Sequence, residues 1–142
     1  MPRILLIIAI SILAQTAHAS HCLSYEPDSN TLTGTIRRTT FPGPPNYASI
    51  QHGDRPETYW LLHLDRAVCV EPGKQDDLND PERDITSMQL VIFGGYAQYK
   101  KFLDKQVIIT GKLSHAISGH HHTRVLIEVE TMRDAVPTTQ RQ

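Results

Sequence analysis

Hydrophobic and polar residues alternate one by one in five segments of the chain. In residues 31–38, Leu32, Gly34 and Ile36 share one face, while threonines occupy the other. A period of two residues places successive side chains on opposite faces and is typical of a half-buried β-strand. The pattern predicts strands over residues 31–38, 58–65, 85–93, 106–113 and 123–129.

The segments between these strands predict one short helix and three long connections. Tyr96, Tyr99 and Leu103 repeat at helical spacing, which predicts a helix over residues 96–103. Residues 41–56 are rich in proline, which cannot donate a backbone hydrogen bond, and therefore predict a long loop. The other two connections are an acidic loop at residues 73–84 and a segment at residues 114–122.

This order of elements predicts an all-β fold with one short helix. Three strands, a helix and two further strands are typical of an OB-fold-like barrel, a five-stranded Greek-key arrangement. Gly34 in the first strand and Gly111 in the fourth favour the strong bending of a small closed barrel. A β-sandwich fits less well because only five strands are visible.

The first nineteen residues have the pattern of a secretory signal peptide. Arg3 supplies a positive charge, residues 4–13 are almost entirely apolar, and Ala17-His18-Ala19 forms an A-x-A cleavage site. The apolar run is shorter than the ~20 residues of a membrane-spanning helix. We therefore expect cleavage after Ala19 and a periplasmic or secreted protein with no stable membrane insertion.

Length and composition predict a single domain after this signal peptide. We expect the domain to span residues 20–133, because the chain is too short for two ordinary domains. The last residues, 134–142, are polar and lack periodicity, so we expect them to form a flexible tail.

Charge and cysteine content narrow the classes of function. The chain has 14 basic and 15 acidic residues and no run of lysine or arginine, which argues against nucleic acid as a partner. Cys22 and Cys69 predict a disulfide, because two cysteines in an exported chain are typically paired. Neither a C-x-x-C redox motif nor additional metal ligands beside the cysteines are present.

Three consecutive histidines, His120, His121 and His122, carry the strongest chemical signal in the sequence. Imidazole binds zinc or copper, and a metal site would use His115, His120 and His122 as ligands. Neighbouring side chains of an extended chain point to opposite faces, so adjacency alone does not bring three ligands to one ion. We favour a tight turn whose imidazoles form hydrogen bonds, with no cofactor.

Sequence motifs for catalysis and for calcium binding are absent. No serine lies in a G-x-S-x-G motif, and no H-E-x-x-H motif occurs. The acidic residues of the segment 73–84 lack EF-hand spacing and are interpreted as a solvated loop. We expect no enzymatic activity, and a metal-dependent hydrolase built on the histidines is the enzymatic alternative.

Aromatic and histidine side chains are predicted to lie on the outer face on which OB-folds bind ligands. Tyr59, His63 and Phe93 alternate with core positions, although packing beneath a loop is the simpler role for the two aromatic residues. The connections 41–56 and 114–122 flank this face. The candidate ligand-binding residues are Phe41, Tyr47, Tyr59, His63, His120, His121, His122 and Thr123.

These observations predict a non-enzymatic periplasmic binding module with an OB-fold-like barrel. Its partner is an unidentified periplasmic ligand or protein, and a saccharide, a peptide and a protein surface all fit the predicted face. One alternative is a metal-binding protein that uses the histidine cluster. Another is an inhibitor or immunity protein that acts through the proline-rich loop.

Five stretches of the sequence resemble one known family. They are Cys22-Leu-Ser-Tyr-Glu-Pro27, Thr31-Leu-Thr-Gly-Thr35, Phe41-Pro-Gly-Pro-Pro-Asn-Tyr47, Glu57-Thr-Tyr-Trp60 and Gly119-His-His-His-Thr123. The chain resembles the small exported bacterial proteins grouped as domain of unknown function 4431. This resemblance implies export and the predicted fold, and it transfers no catalytic residue.

Overall fold

The computed structural model describes residues 22–135, except Gln75 and Asp77. The predicted signal peptide and the predicted tail beyond Ala135 lie outside the described residues. Within the described part of the chain, no helix has the length and apolar character needed to cross a membrane.

Six strands and two short 3₁₀ helices make up the described chain. The strands are β1 (Leu23–Ser24), β2 (Ser29–Pro42), β3 (Pro56–Glu71), β4 (Glu82–Val91), β5 (Gln106–His115) and β6 (Val125–Asp134). The 3₁₀ helices span Ile50–His52 and Tyr96–Phe102. All five predicted strands are present, and β1 is an additional strand of two residues that is too short to show alternation.

Several element boundaries differ from the predictions. Phe41 and Pro42 end β2 and Pro56 begins β3, because proline is tolerated at the end of a strand. The acidic loop is shorter than predicted, since Glu82 already belongs to β4. Strand β6 extends to Asp134, where the tail was predicted to begin.

The predicted helix at residues 96–103 is a 3₁₀ helix of seven residues. It follows Gly94 and Gly95, both of which have a positive φ and separate it from β4. An α-helix needs a costly first turn and gains stability with length, whereas short connecting segments commonly adopt the 3₁₀ form. The period of hydrophobic residues predicted a helix but did not distinguish its type.

The strands form one closed ring, which confirms the predicted all-β class. β2 pairs in antiparallel fashion with β3 and β5, and β5 pairs in the same way with β6. β6 lies parallel to β4, and β4 closes the ring by pairing with β3. The ring is not a clean barrel, because the β3–β4 ladder shifts register between His63 and Val68.

The predicted inward faces of the strands build the core. Trp60 has only 5% of its surface exposed and stacks on Tyr96, with ring centroids 4.8 Å apart. Leu61, whose position in the alternation lies opposite Trp60 and Leu62, is also buried. The core residues that follow the predicted alternation are Leu32, Ile36, Trp60, Leu62, Met88, Leu90, Val107, Ile109, Leu113, Val125 and Ile127.

Gly34 and Gly111 occur where neighbouring strands approach closely. A Cβ atom at Gly34 would lie 2.2 Å from the carbonyl oxygen of His63, and one at Gly111 would lie 2.1 Å from that of Glu128. Backbone atoms cannot give way cheaply, so both positions require glycine. The sharp bending predicted from these two residues therefore takes the form of close strand contact.

The predicted disulfide between Cys22 and Cys69 is confirmed. It joins the segment before β1 to β3, beside the short parallel pairing of Leu23 with Val70. The bond thereby holds the N-terminal segment against the edge of the ring.

Candidate functional site

Two loops meet at one end of the β2–β3 hairpin. The first, which we call the proline loop, spans residues 43–55 between β2 and β3. The second, the histidine loop, spans residues 116–124 between β5 and β6. We use the term loop junction for the side chains that meet there, which are Phe41, Tyr47, Glu57, Tyr59, His120 and His122.

A chain of hydrogen bonds runs through the loop junction. Glu57 Oε2 lies 2.8 Å from His120 Nδ1 and also accepts a hydrogen bond from the Tyr59 hydroxyl at 3.1 Å. His120 Nε2 lies 3.1 Å from the Tyr47 hydroxyl. An ionised carboxylate only accepts, so His120 Nδ1 donates the hydrogen of its bond to Glu57.

The electrostatics of this chain favour an ionised carboxylate and neutral phenols. The hydrogen bond from His120 is the main reason that the pKa of Glu57 lies below its ordinary value. Burial, followed by the hydrogen bond to Glu57, raises the pKa of Tyr59 to about 12. Because 51% of the His120 side chain is exposed, this polar chain is accessible from solvent.

His122 lies beneath this chain in an aromatic stack. Its ring is parallel to Phe41 with centroids 4.1 Å apart, and the Tyr59 ring lies 5.1 Å away at a tilt of 49°. Its Nε2 atom is buried and has no hydrogen-bond partner among the described residues. Burial lowers the pKa of His122 below its ordinary value, so the ring favours its neutral form.

The histidine loop is fixed to the outer face of the ring by Gln89. The side-chain amide of Gln89 donates to the carbonyl oxygen of His120 at 3.0 Å and accepts from the backbone N–H of His122 at 2.8 Å. The Thr123 hydroxyl accepts from the backbone N–H of Gln89 at 2.8 Å. Gln89 is only 3% exposed, so these bonds are shielded from water.

His121 makes a further hydrogen bond within the histidine loop. Its Nδ1 accepts a hydrogen bond from the backbone N–H of Ile117 at 2.9 Å. Burial is the main cause of a lowered pKa for His121. His121 and Thr123 therefore support the loop from within, whereas His120 faces solvent.

The proline loop is organised around the buried carboxylate of Asp54. Its oxygens accept hydrogen bonds from the backbone N–H groups of Asn46, Ala48 and Ser49, at 2.8–2.9 Å. These bonds, that of Ser49 first, lower the pKa of Asp54. The proline loop thus has a defined shape without any helix or strand of more than three residues.

Gly119 allows the two loops to pack closely. A Cβ atom at this position would lie 3.1 Å from three ring carbons of Tyr47, which is tighter than an ordinary contact. A side chain here would press on the Tyr47 ring, which would have to move by a few tenths of an ångström. The glycine before the three histidines therefore allows the close packing of Tyr47 against the histidine loop.

The three proposed metal ligands do not converge. His115 ends β5, where its Nε2 lies 3.0 Å from a carboxylate oxygen of Glu82. Among the described residues, no three histidine, cysteine or acidic side chains form a group that could hold a metal ion. The adjacency of the histidines is thus a feature of loop structure, and the predicted set of His115, His120 and His122 is not brought together.

Other predicted site residues lie outside the loop junction. His63 is exposed further along β3, where it pairs with Thr35 and Ser87. Phe93, which was predicted within a strand, lies beyond the end of β4 and is largely exposed. Neither residue contacts His120.

Glu57, Gln89 and Asp54 are the residues that sequence reasoning missed. Glu57 belongs to one of the stretches that carry the family resemblance, but nothing in the sequence pairs it with a histidine 63 positions away. Gln89 occupies an outward position of a strand, where a polar residue is ordinary. A lone aspartate in a loop likewise carries no signal of a buried carboxylate.

Two cavities among the described residues lie away from the polar chain of the loop junction. One of about 760 Å³ is lined by parts of β2, β3 and β4 at the far end of the hairpin. One of about 220 Å³ lies beside His122, between β4 and the histidine loop. His120, Glu57 and Tyr47 line neither, so the polar chain is part of an open surface.

Comparison with known proteins identifies a family over one part of the chain. Residues 87–133 match the family model described as Domain of unknown function (DUF4431). Of the five stretches that carry the resemblance, only Gly119–Thr123 lies within this segment. No curated protein matches the chain. The matched residues 87–133, which run from β4 through the histidine loop to β6, are thus similar to the family of domain of unknown function 4431.

Proposed function

We propose that this protein is a non-enzymatic, extracytoplasmic binding module that holds a saccharide at the loop junction. The observation that carries the proposal is the half-exposed chain of Glu57, His120 and Tyr47, which joins two rigidly held loops. A saccharide presents hydroxyl groups that both donate and accept hydrogen bonds. A carboxylate, an imidazole and phenols supply the complementary groups within one patch.

The position of the loop junction in the ring supports this assignment. In an OB-fold, the face of the second and third strands and the loops that follow the first and fourth strands bind ligands. Here β2–β6 correspond in order to the five strands of such a fold, with the 3₁₀ helix between the third and the fourth. The proline loop and the histidine loop then correspond to the two ligand-binding loops.

The chemistry of the patch favours a neutral polyhydroxylated ligand over an anionic polymer. Glu57 carries a negative charge at the centre of the loop junction, which opposes phosphate groups. Glu57 Oε1 has no hydrogen bond within the described residues, so it is available as an acceptor. The aromatic rings of Tyr47 and Tyr59 supply apolar surface beside these polar groups.

The open surface and the absence of an enclosing cavity support binding without catalysis. Small-molecule enzymes usually surround the reacting atoms in a cleft that excludes water. The loop junction is instead a solvent-facing patch with a preformed hydrogen-bond pattern. The predicted signal peptide and the Cys22–Cys69 disulfide both support a location outside the cytoplasm, where disulfides persist.

A glycan array followed by calorimetric titration tests the proposal. The probe is a panel of soluble oligosaccharides that includes neutral, N-acetylated and anionic members, applied to the disulfide-bonded protein. We expect binding to neutral members and at least a tenfold loss of affinity in His120→Ala and Tyr47→Phe, since about 1.4 kcal/mol corresponds to tenfold. His52→Ala, at an exposed position of the proline loop that also contains Tyr47, is the matched control and should bind like the wild type.

Two outcomes would contradict the saccharide proposal. One is that no oligosaccharide binds the wild-type protein. The other is that affinity is unchanged in both loop-junction variants while His52→Ala is also unchanged, which would place the ligand elsewhere.

A protein partner is the second candidate, as expected for an inhibitor or immunity protein. Ile117 in the histidine loop is 86% exposed, and Ile50 in the proline loop is also exposed. Exposed apolar side chains beside a polar patch are typical of protein-binding surfaces. A pull-down from periplasmic extract distinguishes this candidate, because Ile117→Ser should release a protein partner while saccharide binding persists.

The metal-binding alternative has a separate test. Calorimetric titration with Zn²⁺ at pH 7.5 compares the wild type with the His120→Ala, His122→Ala double variant. We expect no submicromolar affinity, because neither imidazole has two further ligands beside it within the described residues. Submicromolar binding that disappears in the double variant would establish the metal-binding function instead.

A further inference from the structure

The far end of the β2–β3 hairpin contains a gap in the ring of strands. The β2–β3 ladder ends at the pair Gly34 and Leu64, although both strands continue beyond it. Within the described residues, β2 pairs from there only with β5, and β3 gains β1 as a new neighbour at Val70. We call the gap between Thr31–Thr33 of β2 and Asp65–Cys69 of β3 the window.

Backbone hydrogen-bonding groups face the window from both sides. Among the described residues, Asp65, Arg66 and Ala67 have no paired residue in β2, and on the other side they lie within the register shift of the β3–β4 ladder between His63 and Val68. Asn30 marks one limit of the window, since its side chain bonds to the backbone of Ser24. An antiparallel strand directs its N–H and C=O groups alternately to its two sides, so part of the β2 backbone points into the gap.

The window opens into the cavity of about 760 Å³. Its apolar lining comes from Leu23, Leu32, Leu64 and Val68, which also contact the core of the ring. Charged residues of both signs lie around the opening, namely Asp65, Arg66, Arg83 and Asp84. Arg83 already pairs with Glu71, so the opening has no uniform charge that would select an ion.

We propose that the window is a docking site for an extended peptide segment of about five residues, which pairs with the vacant edge of β2. Only a polypeptide backbone presents N–H and C=O groups at the spacing that a strand edge requires. Five residues of a strand span about 17 Å, the length of the β3 segment that faces the gap. No other class of ligand matches both the backbone edges and the apolar floor.

The cavity also defines the sequence pattern of the peptide. Side chains of a strand alternate between its two faces, so every second residue of the docked segment points toward Leu32 and Leu64. We expect apolar residues at those positions and polar residues between them. Exposed strand edges are ordinarily protected by proline, charge or a covering segment, and Thr31–Thr33 carries neither a proline nor a charge.

Selection from a display library of random nonapeptides tests the window. The disulfide-bonded protein is the target, and the best peptide is then titrated in solution. We expect enriched peptides with alternating apolar residues and at least a tenfold loss of affinity in Ala67→Trp, whose side chain would fill the window. Ala97→Trp, at an exposed position of the 3₁₀ helix, should bind like the wild type.

Amide hydrogen exchange of the wild-type protein provides a measurement that does not depend on folding of the variant. We expect the peptide to slow exchange at least tenfold at amides within Thr31–Thr33. Failure to enrich any peptide, or protection confined to the loop junction, would overturn the proposal. His120→Ala should leave peptide binding unchanged, so failure of the saccharide proposal does not decide this one.

Discussion

The two ends of the β2–β3 hairpin differ in how their unpaired backbone N–H and C=O groups are satisfied. At the loop junction, backbone groups that leave the strands are bound by the buried side chains Asp54 and Gln89. At the window, the strands separate and no side chain bridges Thr31–Thr33 to Asp65–Cys69 in the described chain. One end is closed by polar side chains, and the other remains open.

This difference shows that a small ring of strands can hold its loops in a fixed shape at one end and leave a strand edge accessible at the other. Buried polar groups must find partners, so Asp54 and Gln89 give their loops one conformation, in which the His120 side chain is half exposed to solvent. Unpaired strand edges retain their hydrogen-bonding capacity and are open to a further strand. The loop junction therefore offers side chains in a fixed pattern, whereas the window offers backbone.

The largest effect is expected from Trp60→Ala in the core that both ends share. Trp60 is nearly buried and stacks on Tyr96, so its removal leaves a cavity and should lower the free energy of unfolding by about 3–5 kcal/mol. Urea denaturation measures this change. Phe93→Ala, at an exposed aromatic position, is the control, and its effect should stay within about 0.5 kcal/mol. Equal effects of the two substitutions would contradict the assigned core.

The next largest effect on the free energy of unfolding is expected from removal of the disulfide, which should affect the two ends of the hairpin differently. Cys22→Ser combined with Cys69→Ser should lower the free energy of unfolding by about 2–5 kcal/mol, because the unfolded chain gains freedom. Amide exchange should accelerate in β1 and in β3 near Val70, while amides of the histidine loop keep their protection. Equal acceleration at both ends would show that the loop junction depends on the window for its order.

A smaller effect is expected from Gln89→Ala at the loop junction. The substitution leaves the carbonyl of His120 and the N–H of His122 without their buried partner, at a cost of about 1–3 kcal/mol. Denaturation measures the cost, and amide exchange should accelerate in the histidine loop alone. Gln98→Ala is the control, because Gln98 is exposed and makes only a 3.5 Å contact with a carbonyl. Unchanged exchange in the histidine loop would refute the role of Gln89.

The smallest change in the free energy of unfolding is expected from His121 and His122 of the histidine loop as pH falls. Burial lowers the pKa of His121 and His122 below 6.5, so the unfolded chain takes up protons more readily than the folded protein. The free energy of unfolding should therefore decrease as pH falls from about 6.5 through the lowered pKa values. Denaturation at pH 7.5 and 5.5 measures this decrease.

The matched variants for this pH dependence are His122→Phe and His52→Phe. His122→Phe keeps an aromatic ring against Phe41 but removes one titrating group, so the decrease between the two pH values should be smaller. His52→Phe changes an exposed residue of the proline loop and should keep the decrease seen in the wild type. An identical decrease in all three proteins would assign the pH dependence to other groups.

At a lower pH than the histidines, the carboxylates Asp54 and Glu57 of the same end of the hairpin should also lose their contribution to stability. The hydrogen bonds that lower the pKa values of Asp54 and Glu57 stabilise the ionised forms. Their contribution is present above the ordinary pKa of these carboxyls and is lost as pH falls through the lowered values. Acid should therefore loosen the proline loop around Asp54 and the contact of Glu57 with His120, and amide exchange at low pH measures this loosening.

The amino-acid sequence by itself determined the five longer strands, the inward faces that supply much of the core, and the disulfide. A two-residue period is a local property, so alternation around Ile36, Leu62 and Ile109 was sufficient to identify the inward faces. Two cysteines allow only one intramolecular pair, and the structure contains it. These features require no knowledge of which strands are neighbours.

Only the tertiary structure decided which side chains pair at the loop junction and where β2 and β3 separate at the window. The partner of His120 is Glu57, and Gln89 binds the histidine loop from 31 and 33 positions away. Such pairs arise from the closure of the ring, which brings the ends of β2, β3, β5 and β6 together. The window also depends on the closure of the ring, because β2 and β3 separate where the sheet bends. No local sequence pattern shows at which residue the two strands stop pairing.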